Sequence, residues 1–259
     1  MKRYQELLAL GVFKFNEVVE LTGNKDTAKS LLRDYVEKEY VARIRRNLYV
    51  ALNLETGAPE ADRFAIGSNI TDQSYISHHS AFEYQGAYNQ IFSDVFVSSE
   101  RKFSEFEFKG YNFRWVKAKF WKGTETSEQN SNVRVTDRER TVLDSIDDLN
   151  KYISLEELSE CLSLLPYLNP EKLQEYLSCY GKKTMYQKTG FILEKFQEEL
   201  KLSQEFFKHC QAQIGKNKAY LFPGENFKSQ YYEASWRLIV PEKYRNFGKE
   251  NGGHIGRSE

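Results

Sequence analysis

The 259-residue sequence is poor in cysteine, poor in proline and has no net charge. Its three cysteines, Cys161, Cys179 and Cys210, are odd in number, far apart and outside any C-x-x-C pair, which argues against a disulfide framework or a zinc cluster. Each reads as a buried thiol on a helix. Lys and Arg number 37 against 37 Asp and Glu, so bulk attraction to nucleic acid or a membrane surface is excluded and charge has to be read locally. No apolar run reaches the roughly 18 residues of a membrane span. The start, Met1-Lys2-Arg3-Tyr4-Gln5-Glu6, leads into an acid-bearing amphipathic segment unlike a signal peptide, so a cytoplasmic protein is expected. There is no G-x-S-x-G elbow, no phosphate-binding glycine loop before a helix and no internal repeat. Against these absences stand 40% hydrophobic residues, with 17 Tyr, 18 Phe and 3 Trp, enough for a packed core divided into two or three subdomains.

Tyr4, Leu7, Leu8 and Gly11 fall at helical spacing with a closing glycine. A second short helix is predicted from about Phe15 to Thr22, stopped by Gly23. The turn Gly23-Asn24-Lys25 opens a third, in which Ala28, Leu31, Leu32, Tyr35 and Val36 form the apolar stripe and Lys25, Thr27, Lys29, Ser30 and Arg33 the polar face. Residues 40–50 then form two β-prone runs around Arg46-Asn47, where asparagine tolerates the left-handed backbone of a tight turn. A linker at 53–59 marks a domain boundary near residue 55.

Beyond it the pattern predicts a helix from Glu60, another from Ser77 to Gln85, strands at 92–98, 103–108 and 111–118, and an irregular surface loop at 123–132. Thr136-Asp137-Arg138-Glu139 and Ser154-Leu155-Glu156-Glu157 read as capping boxes. Further helices are expected at 154–164, 170–180, 184–201 and 203–214, short strands at 220–222 and 236–240, and a disordered tail at 246–259. The fold class is α+β: an N-terminal winged helix-turn-helix over residues 1–53, then a larger mixed α/β domain over 60–241 with a helical C-terminal half.

The first 50 residues carry the chemistry, with ten Lys and Arg against seven acids in an otherwise neutral chain. Three short helices followed by a basic hairpin are what a winged helix requires. Lys25, Thr27, Lys29, Ser30 and Arg33 would meet base edges and phosphates of double-stranded DNA in a major groove. Arg43 and Arg45 alternate with Ala42 and Ile44 and should share a solvent face, with Arg46 and Asn47 at the tip. The same module with a merely solvated basic face would serve protein contact. Ser77-His78-His79-Ser80 is a poor metal or nucleophile site, because adjacent helical residues point about 100° apart. Asp94, Glu107 and Lys109 resemble a D…E-x-K nuclease layout, two carboxylates on adjacent strands holding Mg²⁺ beside a lysine, although the same spacing suits a half-exposed strand. No catalytic residue, cofactor or metal is assigned on the favoured reading.

Arg45-Arg46-Asn47-Leu48-Tyr49-Val50, Tyr75-Ile76-Ser77-His78-His79-Ser80-Ala81 leading to Gly86, Val95-Phe96-Val97, and Arg134 to Asp144 occur in this order along the chain. Together these stretches resemble the AbiEi-type antitoxins of bacterial type IV toxin-antitoxin and abortive-infection systems. The similarity runs over about residues 1–147, with Asn47 in place of a wing glycine and Glu39 where a glycine usually follows the third helix. It implies a repressor that binds inverted repeats in its own operon promoter and counteracts a nucleotidyltransferase toxin, part of phage defence, without requiring a stable complex. Residues beyond 60 would form the antitoxin domain. No G-S…D-x-D pattern occurs, so the chain looks like the antitoxin and not the toxin.

Overall fold

The computed structural model describes residues 2–88, 90 and 92–248, so most of the expected tail at 246–259 lies outside the described residues. The chain divides into two compact units, 1–81 with 91–136 and 82–90 with 137–259. The division does not fall near residue 55. Residues 53–59 instead make a tight loop inside the first unit, closed by a bridge from Leu52 to Pro59 and by Asn53 N–H donating to the Ala58 carbonyl at 2.8 Å.

The first unit begins with α1 (Lys2–Leu10), β1 (Val12–Phe13), α2 (Phe15–Thr22), α3 (Lys25–Glu37), β2 (Val41–Arg45) and β3 (Leu48–Ala51). Gly23 takes φ 69° and its N–H returns to the Val19 carbonyl at 2.8 Å, ending α2. Asn24 then caps α3, its side chain accepting from the N–H groups of Asp26 and Thr27. Ala28, Leu32 and Tyr35 are buried on one stripe against Tyr4, Leu7, Phe13 and Val18. Val36, expected on that stripe, is 39% exposed. The strands form a sheet of order β1-β3-β2, of which β1 is too short to leave a periodic signal.

The rest of the unit comprises α4 (Arg63–Ser68), β4 (Tyr75–Ile76), α5 (His78–Tyr84, belonging to this unit as far as Ala81), β5 (Asp94–Ser99), β6 (Phe106–Phe108), β7 (Tyr111–Lys117), β8 (Thr124–Thr126) and β9 (Arg134–Thr136). These strands make a mixed six-stranded sheet of order β6-β7-β5-β4-β9-β8. Part of the expected irregular loop at 123–132 is therefore an edge strand, β8 pairing antiparallel with β9 from Thr124–Thr136 to Thr126–Arg134. The expected strand at 103–108 starts only at Phe106, because Phe103 turns into the core and both Glu105 carboxylate oxygens bind β7, at Trp115 N–H and the Arg114 guanidinium.

The second unit carries α6 (Arg138–Asp147), α7 (Leu155–Leu164), α8 (Pro170–Tyr180), α9 (Lys183–Leu193, continued by a 3-10 turn at Glu194–Phe196) and α10 (Gln204–Gln213). A small sheet follows of β10 (Ala219–Tyr220), β11 (Gln230–Glu233) and β12 (Leu238–Pro241), in the order β10-β12-β11. The Ser154–Glu157 capping box forms as expected. At α6 the cap is one residue later than expected: Thr136 ends β9, Asp137 caps by accepting from Arg140 N–H, and Glu139 accepts from Asn169 N–H at 2.8 Å. Gly190 leaves room for the Trp236 ring, whose atoms would stand 2.0 to 2.4 Å from a Cβ there. Cys161 and Cys210 are buried, but Cys179 is exposed, so one of the three thiols departs from the expected burial. Strands and helices run largely in separate blocks, β5 to β9 followed by α6 to α10, which is the α+β class. Among the described residues no helix is long and apolar enough to cross a membrane.

Candidate nucleic-acid interface

The 13 residues of α3 span about 20 Å, and Lys25, Thr27, Lys29, Ser30 and Arg33 are all exposed on it. Lys29, Arg33 and Glu37 stand at four-residue steps on one face, while Thr27 and Ser30 share the adjoining one. An acid interrupts the basic surface at Asp26, whose carboxylate is 3.7 Å from the Lys29 ammonium.

The hairpin is built around Arg46 and Asn47. Asn47 takes φ 62°, the left-handed conformation expected of it, and its side-chain oxygen accepts a hydrogen bond from Phe15 N–H at 3.2 Å, pinning the tip to the start of α2. The expectation that Arg43 and Arg45 share a solvent face is overturned. Arg43 pairs with Tyr49 and Arg45 with Leu48, so the register shifts by a bulge between them and the alternation breaks. Arg43 stays exposed, its Nε donating to the Arg45 carbonyl at 3.4 Å. Arg45 turns inward over the rings of Phe106 and Phe103, at 5.1 and 5.6 Å, and its Nη1 is buried without a hydrogen-bond partner. Burial pulls its pKa below the ordinary arginine value.

Two clefts meet at the hairpin tip. The first, of about 650 Å³, runs between α3 and the hairpin and gathers Lys29, Arg33, Arg43, Arg46 and Asn47 over an apolar floor that includes Phe15, Leu32 and Tyr49. Lys25, Thr27, Ser30 and Arg45 are outside it. The second, of about 900 Å³, shares Arg46 and Asn47 with the first and is also lined by Arg45, Lys14, Arg101 and Lys102. Sequence reasoning passed over those last three. The signal was the doublet Arg101-Lys102 in a strand connection, which nothing local links to the hairpin.

The alternative metal layout is not assembled. β7 lies between β5 and β6, and Asp94 and Glu107 both pair with Asn112 from opposite sides, about 9.5 Å apart at backbone level. Asp94 is held by the Asn112 amide at 2.8 Å and the Arg114 guanidinium at 3.3 Å. Lys109 sits in the β6–β7 turn at φ 51°. Ser77, His78, His79 and Ser80 are buried, with the Ser77 hydroxyl 2.7 Å from that of Ser98 and 2.9 Å from His78 Nδ1. Among the described residues no group of three or more His, Cys, Asp or Glu could hold a metal ion.

Side chains of the stretch from Arg134 to Asp144 bind the protein's own backbone and one another. The Arg134 guanidinium donates to the carbonyls of Ser68, Asp72 and Ser74, closing the loop before β4. Arg140 and Asp144 form an ion pair of 2.9 Å that is 1% and 2% exposed, completed by the Tyr180 hydroxyl at 2.7 Å from Asp144.

No family model and no curated protein matches the sequence. Among solved structures the chain is similar to the RV2827C protein from Mycobacterium tuberculosis, with a TM-score of 0.62 at 9% identity over 92% of this chain and 89% of that one. A likeness at that identity is a likeness of fold.

Proposed function

We propose that the chain is a cytoplasmic DNA-binding repressor of the AbiEi antitoxin type, and that residues 1–53 work as a winged helix with α3 in the major groove and the β2–β3 hairpin as the wing. The observation that carries this reading is the first cleft, where the basic face of α3 and the exposed Arg43, Arg46 and Asn47 of the hairpin converge on one concave surface. Such a surface supplies both base-edge contacts from a helix and phosphate contacts from a strand pair, the combination that groove recognition requires. Lys29, Ser30, Thr27 and Arg33 would read bases, with Lys25, Arg43 and Arg46 anchoring the backbone. Following the resemblance, the target is the promoter of the chain's own operon and the functional partner a nucleotidyltransferase toxin.

In a gel-shift assay with the DNA upstream of its own coding sequence, the wild type should bind and Arg33→Ala with Arg43→Ala should weaken binding at least tenfold. Equal shifts for both proteins would remove this surface from the mechanism. One observation favours a rival, a groove for an amphipathic helix of a partner protein: the apolar wall of Phe15, Leu32, Val36 and Tyr49. Under that rival, the wild type gives no gel shift and Val36→Glu abolishes partner capture.

A further inference from the structure

The second cleft is a separate feature on the other side of the hairpin tip. Its walls carry Lys14, Arg45, Arg46, Arg101 and Lys102 against two acids, Asp72 and Glu100. Asp72 is occupied by Lys14, and neither Arg46 nor Arg101 has an ion-pair partner among the described residues. The segment that brings Arg101 and Lys102 here is fixed at both ends. The Ser99 hydroxyl donates to the Arg101 carbonyl at 2.8 Å, and Phe103 is buried at 5% exposure. Arg45, packed over Phe103 and Phe106, ties the hairpin to that same segment. The backbone that carries the basic side chains on both walls is thus held in one arrangement before any ligand arrives, which lowers part of the ordering cost of binding. Arg46 and Asn47 line both clefts, so a polyanion lying in the first continues into the second past the tip.

We propose that this cleft is a second phosphate-backbone contact for duplex DNA, in which Arg101 and Lys102 of the β5–β6 connection hold the strand beyond the reach of α3. The inference rests on the reading of the first cleft as a DNA groove binder. It extends the footprint past the N-terminal 53 residues and makes the central sheet part of the DNA-binding surface. Contacts of this kind add affinity without sequence preference.

The test is fluorescence anisotropy of the full chain on a long promoter duplex and on an unrelated duplex across 50 to 200 mM salt. Arg101→Gln with Lys102→Gln should lower the slope of log K against log salt by about 1.8 units on both duplexes, while the preference between them stays unchanged. Trimming the promoter duplex on the hairpin side should bring the wild type down to the variant. An unchanged slope in this variant, with binding still weakened by Arg33→Ala and Arg43→Ala, overturns the second contact and leaves the first. A wild type that binds neither duplex overturns both. Thermal stabilisation of the wild type by tripolyphosphate, lost in the variant while duplex binding is not, overturns the proposal in favour of a small polyanion site.

Discussion

Arg45 lies over the ring of Phe106 at 5.1 Å, while Arg43, two residues earlier on the same strand, stays in solvent. Two arginines that strand alternation assigns to one face therefore do different things: one joins the hairpin to the sheet-bearing part of the unit, the other remains available to a ligand. The bulge between them is the cause.

Replacements in the hairpin should separate these roles. Arg43→Ala with Arg46→Ala is expected to weaken duplex binding and reduce its salt slope by about 1.8 units, with the melting temperature unchanged. Arg45→Ala should instead lose roughly 1 kcal/mol of stability, the worth of a partly desolvated cation–π contact. Thermal denaturation beside anisotropy measures both, and a stable Arg45→Ala protein with a DNA defect as large as the double variant's would reverse the assignment.

Glu39 holds φ 56° after α3, where the Tyr40 N–H returns to the Tyr35 carbonyl at 2.8 Å. This is a left-handed position occupied by a residue with a Cβ, and it costs about 1 to 2 kcal/mol relative to glycine, less glycine's greater entropy in the unfolded chain. Glu39→Gly is therefore expected to raise stability by about 0.5 to 1 kcal/mol in urea denaturation. A loss of stability would show that the Glu39 side chain contributes something the backbone account omits.

Asp72 sits beside the Lys14 ammonium, which donates to its carboxylate and holds its pKa below the ordinary aspartate value of about 3.9. A depressed folded-state pKa means stabilisation that is present above the unfolded value and is lost as the pH falls through the folded one. The carboxyl titration of Asp72 followed by NMR should have its midpoint below that of an isolated aspartate, and should move up towards it in Lys14→Met. The Asp72 side chain is 91% exposed, so the effect on global stability is small.

The Arg140–Asp144 pair in the second unit behaves in the opposite way, because both groups are out of water. Asp144→Leu alone leaves a buried guanidinium and should cost about 3 to 5 kcal/mol, and Arg140→Met with Asp144→Leu should recover part of that loss. Denaturant midpoints of the two proteins decide it: equal losses would mean that the pair is not coupled.

The local elements were readable because their causes are local. Ala28, Leu32 and Tyr35 form a stripe at helical spacing, Gly23 stops one helix and Asn24 caps the next, and Asn47 sits in the left-handed turn that its side chain suits. The sites were less readable. The D…E-x-K reading of Asp94, Glu107 and Lys109 failed on sheet order, since a strand that follows both in the chain inserts between them. The stretch from Arg134 to Asp144 gave a capping signal in the sequence, but that Arg134 closes a loop and that Arg140 and Asp144 form a buried pair depends on segments far away in the chain.

Periodicity, caps and turn residues act over a few positions, so the α+β class, the turn between α2 and α3 at Gly23-Asn24 and the basic excess of the first 50 residues are legible in the amino-acid order alone. Which strand lies beside which, and hence that Arg45 packs on Phe106 and that Arg101 and Lys102 face the hairpin, depends on pairings between segments some 55 residues apart. Those follow from packing across the fold, because the free energy of a non-local contact depends on everything packed around it and leaves no mark on neighbouring residues.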